Sequence, residues 1–238
     1  MDQAHSPRRF YARAEVAPKD GGFRVMLDDR PLKTAAGREF ILPSRALAER
    51  CAEEWAAQGE QLDTSTMPIT KLGFVAVDLV QDDRAARADF VASFSETDLC
   101  CYRASGPAEL VARQDQTWNP LMEWGNEEFG VAFPIVQGVI AAPEAAALRS
   151  NLRALALTED DYKLTALAQC AGLSGSCLIA FAVLRGRLAA REAFEAAALD
   201  ELWSIEHWGE DEVARARLTQ LENDFAAVCA FLVALDVG

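Results

Sequence analysis

The residues best suited to chemistry lie in the run DELWSIEHWGEDE, from Asp200 to Glu212. It holds six carboxylates, two tryptophans and His207, and no Lys or Arg occurs between Arg191 and Arg215. At about 100° per residue, Leu199, Leu202 and Trp203 share one helix face with Glu206 and Glu210, so two acids fall on a stripe that should be apolar. Burying an unpaired carboxylate costs several kcal/mol; these acids therefore find partners inside the protein, reach water at a groove, or face another molecule.

Other candidates for chemistry are weaker. His207 sits among Glu206, Glu210 and Asp211, but a single imidazole lacks the paired histidines, four residues apart, that make helical zinc sites specific. The only other histidine is His5, so histidine acid–base chemistry has one candidate and carboxylate pairs are the alternative. Ser174 and Ser176 lie in AGLSGSCL, whose G-x-S-x-S spacing departs from the nucleophile elbow and falls in a helical apolar run. The expected role of these small residues is close helix packing. No phosphate-cradling glycine loop of either common type is present, and the aromatic residues of WNPLMEW (118 to 124) read as core. No metal and no cofactor is expected.

Composition narrows the partners. Of the 238 residues, 51% are hydrophobic and 25% charged, as in ordinary globular proteins. Residues 1 to 50 carry ten Lys plus Arg against seven Asp plus Glu, whereas residues 51 to 238 carry thirteen against thirty, a balance of −17. Such a surface repels nucleic acid and anionic membranes and favours neutral or basic partners. CLIAFAVL, the best apolar run, is too short to cross a bilayer, and MDQAHSPRRF lacks the apolar core of a secretory signal. Membrane insertion is not expected. Six cysteines without a C-x-x-C pair read as buried free thiols in a reducing compartment, a cytoplasm or its equivalent.

Elements that would position the acidic run follow from periodicity. Short β-prone runs at 8–16, 23–27 and 38–43, separated by PKDGG, DDRP and AAG, predict a small antiparallel sheet. Ser44 then caps a helix carrying Leu47, Cys51 and Trp55. Helices follow from Pro68 to about Val80, at 84–94, from Pro107 to 128, and at 143–155, 161–185 and 189–235, the last broken near Gly209. DLCCYR (98 to 103) reads as extended and VAFPIVQGVI (131 to 140) as an edge strand that could pair with it. The fold class is α+β, with an N-terminal sheet-and-helix domain over 1–62 and a mainly helical bundle domain over 63–238.

RRFY, LDDRPLKTAAGREFILPS, CAEEWAAQGE, TMPITKL, ETDLCCYRASGPAELVARQDQTWNPLMEW, LSGS and IEHWGEDE occur in this order over residues 8 to 235. Together they resemble the assembly chaperones that act on the α subunit of the F-type ATP synthase catalytic head, a family of mitochondria and α-proteobacteria. Departures are the second Cys of DLCCYR and the His of IEHWGEDE.

The resemblance implies a non-enzymatic protein that keeps the new α subunit soluble until β takes it; a monomer is expected, although the sequence does not fix the oligomeric state. It also implies a two-domain shape and an acidic residue near the C-terminal helix that matters for activity. That acid falls among Glu206, Glu210, Asp211 and Glu212, with Glu210 preferred on helical projection, and Trp203 and Trp208 complete the expected partner-binding set. Residue pattern alone also leaves open a carboxylate-dependent hydrolase and a general acidic adaptor. The resemblance separates them.

Overall fold

The computed structural model describes residues 7–137 and 146–237. The chain divides into two compact units, one of residues 1–82 with 230–238 and one of residues 83–229.

The first unit is built on strands β1 (Ala14–Lys19), β2 (Gly22–Leu27), β3 (Arg30–Pro31) and β4 (Ile41–Leu42). β1 and β2 form an antiparallel hairpin with Lys19 opposite Gly22, so Asp20-Gly21 is the two-residue turn, and Gly21 supplies the positive φ of 88° it requires. β2 pairs with both β3 and β4 on its other edge. Gly22 is obligatory there because a Cβ would stand 2.2 Å from the Leu42 carbonyl oxygen.

Residues 8–13 do not continue β1, contrary to expectation. The Arg9 guanidinium instead binds the carbonyls of Tyr11, Ala12, Ala56 and Gln58, which draws the segment to the end of helix α1 (Arg45–Ala56). Ser44 caps α1, accepting from Leu47 N at 3.1 Å and donating its hydroxyl to Ala234 O.

Helix α2 (Pro68–Val75) and the π-helical turn after it, Ala76–Val80, belong to this unit, so the boundary falls at 82/83 rather than 62/63. Three contacts explain the difference. The Glu54 carboxylate accepts Ile69 N at 2.8 Å and Thr70 N at 2.7 Å, satisfying free donors at the start of α2. A Cβ on Gly73 would stand 2.7 Å from the Phe40 ring, so α2 lies directly on the core of the sheet. Asp78 accepts from Thr34 Oγ1 and Ala36 N, and Arg38 pairs with Asp82.

The second unit holds α3 (Arg84–Ser93), β5 (Tyr102–Arg103), α4 (Ala108–Phe129), β6 (Val136–Gln137), α5 (Ala146–Thr158), α6 (Asp161–Ser174), α7 (Cys177–Leu184), α8 (Ala190–Ala197) and α9 (Leu199–Trp208). α10 (Glu212–Asp236) begins here, and its last turns are counted with the first unit. α7 is apolar on every side and buried from Cys177 to Val183, which makes it the centre of the bundle. Gly125 lets α4 approach it, since a Cβ there would meet Leu178 Cδ1 at 2.4 Å. β5 and β6 pair in parallel, joining DLCCYR to VAFPIVQGVI as expected over residues 136–137, while 138–140 lie outside the described residues. Residues Leu99–Cys101, expected to be extended, form a 3₁₀ turn.

The expected single helix over 161–185 is two helices, broken at Gly175 in the left-handed region with φ 66°. The break is held from outside. Asp98, wholly buried, accepts from Cys100 N (3.0 Å), Ser176 Oγ (2.7 Å), Cys177 Sγ (3.1 Å) and Leu178 N (3.1 Å). Ser176 caps α7 through its hydroxyl oxygen, which accepts Ile179 N at 3.0 Å, while Ser174 bonds back within α6, its Oγ donating to Cys170 O at 2.8 Å. By length and composition alone α10 is also long and apolar enough to cross a membrane. Its Phe225, Val228, Phe231 and Leu232 are nevertheless buried within the protein.

Candidate functional site

The acidic run forms α9, a turn at Gly209 and the start of α10. Gly209, with φ 87° and ψ 169°, ends α9, so the helical projection that set Glu210 on the Trp203 face does not apply beyond it. Within α9 the projection holds in part: Leu202 is half-buried and Glu206 is exposed. Leu199 and Trp203 are buried, and Trp203 is only 5% exposed.

Most of the acids are engaged inside the unit. Glu206 meets Arg113 of α4, Oε2 to Nη1 at 2.6 Å, and this hydrogen bond holds its carboxyl below the ordinary range. Asp200 accepts from Gln114 Nε2 at 2.7 Å, and Glu201 pairs with Arg217. Glu210 pairs with Arg215 at 2.6 Å. Asp211 accepts Ala214 N at 2.8 Å, supplying the side-chain acceptor that the first turn of α10 needs. Glu212 is exposed and, among the described residues, meets neither a base nor a hydrogen-bond donor.

The aromatic residues divide in the same way. Trp203 is the buried anchor. His207 stacks on it at 4.0 Å with an interplanar angle of 22°, its Nδ1 2.8 Å from Trp203 O. Trp208 packs edge-on against Trp203 at 5.1 Å, yet is 75% exposed, and Val213 beyond the turn is 79% exposed. Of the six residues expected to bind a partner, Trp203 is buried, Glu206 and Glu210 are ion-paired, Asp211 accepts from Ala214 N, and Trp208 and Glu212 are exposed.

Arg113 escaped sequence reasoning because nothing in VARQDQ distinguishes it from a solvated helix arginine; its partner lies 93 residues away. Asp98 is equally hidden in a run whose pattern predicts an extended segment. Among the described residues no cluster of three or more His, Cys, Asp or Glu side chains could hold a metal ion.

Residues 8–126 match the family model described as ATP12 chaperone protein. The mitochondrial Atp12 protein of Schizosaccharomyces pombe is 24% identical over 219 residues, covering 87% of this chain and 75% of that protein. The crystal structure of Atp12 from Paracoccus denitrificans superposes with a TM-score of 0.89 at 35% identity, covering 96% of this chain and 98% of that one. A protein from Agrobacterium tumefaciens gives 0.90 at 36% identity, covering 97% and 87%. With half its length matched by the family model and a full-length structural relative above 30% identity, this chain belongs to the ATP12 chaperone family.

Proposed function

We propose that this chaperone binds the unassembled α subunit of the F-type ATP synthase catalytic head, prevents its aggregation and releases it to β. Family membership supports the class of function. The observation that supports the site is Trp208, exposed at the corner between α9 and α10 where Gly209 ends α9. An unassembled subunit exposes the face that will later meet its neighbour, and such a patch aggregates if left uncovered. Trp208 and Val213 would cover apolar surface on α, while Glu212 meets a basic side chain at its edge. The acidic field of the chain, −14 overall, speeds encounter with a basic patch and keeps the pair soluble.

Release needs no nucleotide in this reading. β offers α a larger complementary face, so a moderate chaperone affinity is displaced by mass action. The protein acts without catalysis, as a monomer in the cytoplasm. Co-expression with its own α and β subunits tests the reading. Soluble α should co-purify with the chaperone, leave it when β is added, and be lost with Trp208→Ala; α that stays insoluble with the intact chaperone present refutes it.

A further inference from the structure

Beside the acidic corner runs a groove of about 540 Å³ between α4, α8 and α9, with an apolar floor that includes Leu121, Phe194, Leu199 and Leu202. That floor is fixed, since Trp118 Nε1 donates to Ala196 O at 2.9 Å beneath it. From the reading of this protein as an α-subunit chaperone, we infer that the groove takes a short extended segment of the unassembled α subunit in which an aliphatic side chain stands next to a lysine or arginine.

Size, charge and continuity point to this occupant. The volume lies in the range of built ligand sites and holds a few peptide residues. The rim carries Arg113 and Arg191 against Glu192, Glu195 and Glu206. Both guanidiniums are already taken, by Glu206 at 2.6 Å and Glu195 at 2.8 Å, so the surplus charge is one carboxylate, Glu192. One Glu192 oxygen accepts Ala189 N at 2.8 Å, leaving the other for a cation. Partly exposed ion pairs contribute little and open easily, so an incoming base can also exchange with Arg113 at Glu206. The groove is continuous with the proposed site because Glu206 belongs to both.

Thr117, half-buried on the groove wall, gives the test without touching Trp208 or the acids. Purified α subunit is mixed with chaperone carrying Thr117→p-benzoylphenylalanine, irradiated, and the adduct mapped; retention of α is measured with Thr117→Trp, which plugs the groove, and Thr117→Val, which does not. The expected result is a cross-link to an α segment with an aliphatic residue beside a base, and at least tenfold weaker retention for Thr117→Trp alone. If Thr117→Trp misfolds, the cross-link decides. Full retention by folded Thr117→Trp with no cross-link overturns the groove and leaves the chaperone reading standing. A cross-link to a second copy of the chain, or to an α segment without a base, overturns the assigned occupant. Failure of the unaltered chaperone to retain α overturns both.

Discussion

Ser176 donates its hydroxyl hydrogen to Asp98 at 2.7 Å across 78 residues of sequence, and this bond fixes where the central helix of the bundle begins. Asp98 binds three further donors, so all its partners are polar hydrogens that would otherwise be buried unsatisfied. Asp98→Asn turns one acceptor oxygen into a donor facing other donors. The expected loss is about 3 kcal/mol of unfolding free energy, read by denaturant titration of the second unit's signal, with Ser176→Ala costing less. Near-unchanged stability would show that the elbow between α6 and α7 is set by packing alone.

The same carboxyl carries a pH dependence. Burial raises its proton affinity above the usual carboxylate range, and the Ser176, Leu178, Cys177 and Cys100 hydrogen bonds oppose that shift without cancelling it. A carboxyl whose folded pKa exceeds its unfolded value takes up a proton on folding. Stability from this group therefore falls as pH rises from the unfolded value, about 4, through the folded one, and levels off above it. Denaturant midpoints measured across that interval should fall less steeply in Asp98→Asn than in the unaltered chain. Parallel profiles would show that Asp98 does not titrate differently in the two states.

Gly21 and Gly22 are adjacent but replaceable to different degrees. A Cβ on Gly21 meets nothing within 4 Å, so Gly21→Ala suffers only from the positive φ of 88°. A Cβ on Gly22 would drive into the Leu42 carbonyl, a backbone atom with no rotamer to move. Gly21→Ala should cost about 1–2 kcal/mol and Gly22→Ala about 3 kcal/mol or more, measured by thermal or urea unfolding. Equal costs would mean that β4 shifts readily away from β2.

What the sequence made legible and what it hid separate by range. Asp20-Gly21, the Ser44 cap, Pro68 and the break at Gly209 are local signals, and each stands where a few neighbouring residues place it. The Gly175 break was hidden because both flanks are apolar, and its stabilising group, Asp98, lies far away in sequence. The boundary near residue 82 depends on Glu54 reaching Ile69 and on Phe40 meeting Gly73, contacts that periodicity cannot register. In the acidic run the sequence reveals that the acids need partners. It does not reveal which ones find them, because Arg113 and Arg217 come from other helices.

Glu54 offers a test of the boundary itself. α2 has no side-chain cap of its own at Met67, and Glu54 supplies acceptors for two backbone N–H groups from the facing helix. Glu54→Ala should cost about 1–2 kcal/mol, the range of a lost helix cap. Hydrogen exchange should quicken over Ile69 and Thr70 first. Exchange that quickens uniformly over the first unit instead would mean that α2 has no separate opening and unfolds only with the sheet.

The corner at Gly209 separates stability from binding. Trp208 buries little of its surface, so Trp208→Ala should change unfolding free energy by no more than about 1 kcal/mol. A rigid interface tryptophan carries about 2 kcal/mol or more of binding, so retention of α should fall at least tenfold. Among the acids, Glu212→Lys should weaken retention at a cost of no more than about 1 kcal/mol of stability, since it reverses a charge that meets no side-chain partner among the described residues and loses only its favourable place in the first turn of α10. Glu210→Lys, which also sets a base against Arg215, should disturb the start of α10 as well as binding. Retention measured beside thermal unfolding for all three variants decides the point: if only Glu210→Lys weakens binding, the corner contributes its shape and Glu212 is merely solvated.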